Sequence, residues 1–254
     1  MQIEAVMDRI KDNISLDQLS RLLVDASIDS STMVDSVVSG YQRRLLNLIY
    51  QGNAQHRDKV NLIVANEITP HLTAEEYMDK GDYENELKQV LGETRAAFDI
   101  SEHDTLIFGS HGLLIAGPNA RAHEPLLCTY VQFISMDLFV RNFFARTFTM
   151  NDDMKDLRRA INAYTTDPLS ISKINDKLQT LSDDVRMMGE VLGYLVESLE
   201  TCEIPPQPKD PAALALFQKL QVSDLAAQLS LRVLDLKKLV DGTRLELAVG
   251  AALP

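Results

Sequence analysis

The residue types able to carry chemistry gather first in one short stretch. His103, His111 and His123 lie close together, with Glu102, Asp104 and Glu124 beside two of them. Two imidazoles and a carboxylate suit a divalent transition metal, so these three histidines are the candidate metal ligands. Histidines around a turn are more often ordinary surface residues, and no cofactor is expected. Ser110 next to His111 has the composition of a nucleophile and its base, but adjacent side chains diverge and seldom align for proton transfer. Gly109-Ser110-His111-Gly112 lacks the lysine and the spacing of a phosphate-binding loop. No G-x-G-x-x-G follows a strand pattern, and neither H-E-x-x-H nor G-x-S-x-G occurs. The chain does not read as an enzyme.

A second cluster lies near the C-terminus. Within residues 222–242, Leu225-Ala226, Leu229, Ser230, Leu231, Leu236 and Val240 fit the spacing of a helix-turn-helix, with small Ala226 at the crossing and Ser230 in the turn. The second helix would then present Arg232, Asp235, Lys237 and Lys238 to a DNA groove, while Lys219 and Arg244 reach phosphates. Against this, Val233 and Leu234 occupy positions that would face DNA, where an apolar pair looks more like a docking surface. The segment 206–254 also has almost balanced charge, which gives little phosphate neutralisation. A DNA-binding regulator is therefore the alternative reading, with an enzyme or metal protein third. Glu75, Glu76, Asp79, Asp82, Glu84 and Glu86 form an acidic run around Lys80 without the D-x-D-x-D-G loop of a calcium site, and read as a solvated helix face.

Composition sets the frame for these clusters. The 254 residues are 45% hydrophobic and 24% charged, with 6% aromatics and no Trp, a mix for a folded, mainly helical chain. A net charge of −12, heavier in the N-terminal half, disfavours nucleic acid and anionic membranes as partners. Cys128 and Cys202 belong to no C-x-x-C pair, the usage of a reducing, cytoplasmic or otherwise intracellular setting. No signal core or membrane span is evident, since no apolar stretch reaches roughly 18 residues.

The elements follow from periodicity and punctuation. The first hundred residues read as a helical layer, with helices capped by Ser15 and by Ser30-Ser31. The second of these ends at Gly52-Asn53, and a shorter helix reaches about Glu67. A capping box, Thr73-Ala-Glu-Glu76, then opens a helix to about Phe98 with a weak point at Gly81. Thr105–Phe108 and Leu113–Ala116 flank a glycine-containing turn and form a single short β-hairpin over 104–116, covered on both faces by helices. From Pro125 to Phe148 the chain is apolar almost all round, the centre of the fold, and a separate helix over 150–164 follows. Asp167-Pro168 opens a long helix over 168–200. Residues 203–212 hold four prolines and separate a body of 1–202 from a small helical tail of 213–254.

The strongest pattern is Ile171, Ile174, Leu178, Leu181, Val185, Met188, Leu192, Leu195 and Leu199, spaced alternately three and four. This is the period of knobs-into-holes packing, as in a coiled coil. Its flanks, Asn175, Ser182, Gly189 and Val196 on one side, Ser170, Lys177, Asp184, Val191 and Ser198 on the other, lack the charges of an isolated two-stranded coil. A helical bundle within one chain is therefore expected ahead of a self-paired stripe. The function expected is that of a structural or interaction protein, a subunit of a homo- or hetero-oligomeric assembly that binds other proteins through helical packing surfaces.

Overall fold

The computed structural model describes residues 14–37, 40–50, 60–79, 83–162, 168–200 and 206–251. The elements are α1 (Leu16–Val37), α2 (Gly40–Ile49), β1 (Asn61–Ala65), α3 (Ala74–Met78), α4 (Glu84–Leu91), β2 (Thr94–Asp99), β3 (Thr105–Gly109), β4 (Gly112–Ala116), α5 (Ala120–Asn162), α6 (Pro168–Glu200), α7 (Pro211–Lys219) and α8 (Val222–Ala251). The fold is mainly helical, as the composition implies. Gly52-Asn53, Gly81, Asp167, Cys202 and Pro205 lie outside the described residues.

Packing divides the chain into two units, drawn from 1–39, 58–132 and 205–221, and from 40–57, 133–204 and 222–254. α7 belongs to the first unit and α8 to the second.

The first unit is built on a four-stranded sheet in the order β1-β4-β3-β2. β3 and β4 form the expected hairpin, with Phe108 opposite Leu113, but it is not alone: β2 pairs antiparallel with β3, and β1 pairs parallel with β4. The helical reading of the first hundred residues is corrected here. Asn61–Ala65 is a short apolar run, which periodicity cannot assign between a buried strand and a helix. Thr94–Asp99 carries two alanines, and its strand conformation comes from pairing rather than from propensity.

Both faces of the sheet are covered. On one face Ile107 and Leu114, which are paired across β3 and β4, pack with Leu87, Val90 and Leu91 of α4 and with Tyr77 of α3. Leu19 and Leu23 of α1 pack against the same cluster. On the other face, Phe108 meets Phe98 edge-on at 5.4 Å and Tyr130 of α5 at 6.0 Å. Lys219 of α7 lies 4.8 Å from the centre of the Phe98 ring. Local signals start the helices of this unit. The capping box before α3 is present, with the Glu76 amide donating to the Thr73 hydroxyl at 3.3 Å and the Thr73 amide to the Glu76 carboxylate at 2.7 Å. Asp210 caps α7 by accepting from the Ala213 amide at 2.9 Å, with Pro211 in the first turn.

The second unit is helical. α5 begins at Ala120 rather than at Pro125 and runs 43 residues to Asn162, merging the two helices expected over 125–148 and 150–164. Pro125 falls in the second turn of this helix, near its start. The buried face does not stop at Phe148, which is itself exposed, but continues through Met150, Met154 and Leu157. α6 has the expected bounds. Leu181, Val185, Met188 and Leu192 are buried, and Ile171, Ile174, Leu178 and Leu195 half-buried. α8 packs along α6 and buries a row running from Val222 through Ala226, Leu229, Val233 and Leu236 to Val240 and Thr243.

The helix-turn-helix expected over 222–242 is absent, because α8 passes through Ser230 without a break. The Ser230 hydroxyl donates to the Ala226 carbonyl one turn back at 3.0 Å, which is compatible with a helix interior. The turn lies earlier, at Leu220-Gln221, where Gln221 adopts a φ of 49°.

Candidate functional site

β1 and β4 run parallel, so their carboxyl ends leave the sheet at the same side. In open sheets this is where loops can diverge and leave a crevice. Here the loop after β1 carries Asn66, Glu67, Ile68 and His71, the β2–β3 loop carries His103, and Ala116-Gly117-Pro118 follow β4. Together they line a pocket of about 290 Å³.

Two aspartates hold these loops in place. Asp104 is buried and accepts from the Ser101 hydroxyl at 2.6 Å, the Asn119 amide at 2.8 Å and the Asn119 side chain at 3.0 Å, tying the β2–β3 loop to the start of α5. Burial alone pushes its carboxyl up. The hydrogen bonds from Ser101 and Asn119, with His123 nearby, outweigh that and hold it below the ordinary aspartate value. Asp99 accepts from the Ala74 amide at 2.9 Å and the Thr105 hydroxyl at 3.0 Å, joining the first turn of α3 to β3. Gly117 donates to the Ala65 carbonyl at 3.1 Å, closing the gap between the two parallel strands. Its φ of 146° lies where side chains are strained, and a Cβ there would collide with the His103 carbonyl and the Asp104 carboxylate.

The three candidate histidines are not brought to one point. His103 is exposed at the pocket and meets the ring of His71 edge-on, with centroids 6.0 Å apart. His71 Nε2 lies 3.2 Å from the Glu102 carbonyl, which can only accept, so that nitrogen carries the proton. His111 is exposed at the hairpin turn. His123 is buried on α5, and its Nδ1 finds no hydrogen-bond partner among the described residues. Among those residues no three His, Cys, Asp or Glu side chains converge as metal ligands. An imidazole pair, a carboxylate and an amide stand in the pocket beside Ile68 and Pro118, and most of its lining surface is apolar. Sequence reasoning found His103 but missed Asn66, Glu67 and His71, because only the parallel pairing of β1 with β4 brings them beside it.

The candidate DNA contacts lie on α8 in the second unit. Arg232 pairs with the buried carboxylate of Asp137 on α5, which also accepts from Arg141 Nε at 2.8 Å. Lys238 pairs with Asp235 at 3.1 Å, and Lys237 is exposed. Arg146 of α5 lies 3.5 Å from Asp184 of α6. Burial pushes the Asp184 carboxyl up, against the opposing pull of Arg146 and Arg44. The exposed faces of the second unit carry Phe148, Tyr194, Leu231, Leu234 and Leu245. Among the described residues no helix is long and apolar enough to cross a membrane.

Comparison with known proteins adds relatedness over much of the chain. No solved structure matches it. Residues 1–119, which include the whole four-stranded sheet, match the family model described as MJ1566 N-terminal domain. The chain is similar to the uncharacterized protein MJ1566 of Methanocaldococcus jannaschii, at 23% identity over 231 residues that cover 89% of this chain. Those residues are 48% of the relative, so the chain spans about half the length of the curated protein it resembles.

Proposed function

We propose that this chain is an interaction protein, a subunit of a homo- or hetero-oligomeric assembly that binds protein surfaces through its helices. One observation carries the reading. α8 already buries a full face, yet Leu231, Leu234 and Leu245 stand on its other side with 64%, 48% and 68% of their surface in water. A helix needs one apolar face to join its own core, and folding does not account for a second. In this reading α5, α6 and α8 form a bundle, with the evenly spaced apolar row of α6 turned inward. That bundle is the scaffold that displays the outer face of α8. The wide spacing of the cysteines fits work in a reducing, intracellular setting. Light scattering of the full chain at micromolar concentration tests the proposal: a mass above that of one chain is expected, and a monodisperse monomer would count against it.

A second reading is favoured by the pocket at the ends of β1 and β4, which would bind a small molecule with apolar surface and a few hydrogen-bonding groups. Saturable binding from a small-molecule library, lost on His71→Ala, would support it; retention of that binding in the variant would not. The alternative, a DNA-binding regulator, would have to use one continuous helix over 222–242 in which Arg232 already pairs with Asp137.

A further inference from the structure

The outer face of α8 has an order of its own. Leu231, Leu234, Lys238, Asp241, Leu245 and Ala248 are all exposed, and their spacing alternates three and four. This row lies on the opposite side of the helix from the buried row that begins at Val222 and ends at Thr243. α8 therefore has two seams of coiled-coil period, one filled by its own chain and one open.

We propose that the open seam pairs with the same seam of a second copy of this chain, the two helices antiparallel about a twofold axis between Lys238 and Asp241. The inference rests on the assembly reading above and names its surface. The order of the residues selects both partner and direction. In a parallel pair Lys238 would face Lys238 and Asp241 would face Asp241, which is repulsive at both layers. In the antiparallel pair Lys238 faces the second copy's Asp241 twice over, Leu234 faces Leu245, and Leu231 faces Ala248. The row is thus complementary to itself in charge and in size, as a closed twofold interface requires.

The flanks qualify the picture. Asp235 and Gly242 border one side of the seam, and the small Gly242 allows close approach. Lys237 and Arg244 border the other, where the two copies bring like charges together at a solvated rim. The central ion pairs oppose that repulsion. A seam from 231 to 248 is only about 25 Å long, so association is expected in the range of roughly 10 μM rather than nanomolar.

Sedimentation equilibrium of the full chain at about 100 μM is expected to give a dimer. Leu234→Glu/Leu245→Glu is expected to give a monomer with unchanged helical circular dichroism. Lys238→Asp should weaken the dimer by roughly tenfold, and Lys238→Asp/Asp241→Lys should recover it to within roughly threefold, because the exchanged charges meet again across the axis. If the leucine variant fails to fold, the charge variants decide alone, since they leave the apolar residues in place. A dimer that survives Leu234→Glu/Leu245→Glu overturns this surface, and a charge exchange that does not recover the dimer overturns the antiparallel register. Both results leave the assembly reading standing. A wild-type chain that is monomeric at that concentration overturns this surface and the self-association form of the assembly reading, and leaves only a hetero-assembly.

Discussion

Asp137 of α5 sits between Arg141, one turn along the same helix, and Arg232 of α8, with its carboxylate buried and both guanidinium groups reaching solvent. A buried carboxylate held this way fixes the lateral register of two helices, because no neighbouring position can replace its partners. Removing the acid leaves two arginines that can turn to water, whereas removing Arg232 leaves a buried charge with one partner. Arg232→Ala should therefore destabilise by about 2 kcal/mol, and Asp137→Ala by a similar amount through loss of the bonds and a small cavity. The double variant should cost less than the two single costs added together. Urea denaturation of the four proteins measures this, and strict additivity would show that the pair does not interact.

Asp104 makes stability depend on pH in a known direction. Its folded-state value is depressed, so its contribution is fully present above the unfolded value of about 3.9 and is lost as pH falls toward the folded value. Wild-type protein should lose stability as pH falls below about 4, and Asp104→Asn should flatten part of that slope while lowering stability at neutral pH. Urea midpoints at several pH values decide it. Equal slopes in the two proteins would mean that the Ser101 and Asn119 hydrogen bonds do not bias the carboxyl.

Gly117 is held in a conformation that only glycine adopts freely, against the Asp104 carboxylate. Gly117→Ala should cost at least about 1 kcal/mol from backbone strain alone, with more from displacement of the β2–β3 loop. A thermal midpoint unchanged from wild type would contradict the packing described here.

Val233 and Leu234 are neighbours in sequence and lie on opposite sides of α8, 1% and 48% exposed. Val233→Ala should destabilise by about 1–2 kcal/mol, and Leu234→Ala should stay within about 0.5 kcal/mol in the monomer. A helix-turn-helix would expose both, so similar small effects at the two positions would favour that motif over one continuous helix.

What was legible in the sequence follows from the range of the signals. The bounds of α6, the capping box at Thr73 and the β3–β4 hairpin are local, and each could be read from a few adjacent residues. β1 was not legible, because Asn61–Ala65 is a strand only by virtue of Gly112–Ala116, far along the chain. α8 misled for a different reason. With apolar residues on two sides its periodicity is blurred, and a helix with two seams resembles two short helices joined at Ser230. The pocket combined both difficulties: Asn66, Glu67 and His71 carry no motif, and the reason to group them with His103 is the sheet order. The histidines that proximity in sequence singled out are separated by the hairpin, which sends His111 to its turn while His123 passes into α5.

The parallel pairing of β1 with β4 also bears on how the chain folds. The β3–β4 hairpin closes over a two-residue turn, whereas β1 pairs with β4 across the whole stretch of chain that carries α3, α4, β2 and β3. Contacts of such long separation are slow to form. Until β1 arrives, the edge of β4 is unpaired and open to a strand from another chain. Refolding yield should therefore fall with protein concentration more steeply than the stability of the native state would suggest, and the vulnerable interval is the one before Asn61 reaches Gly112.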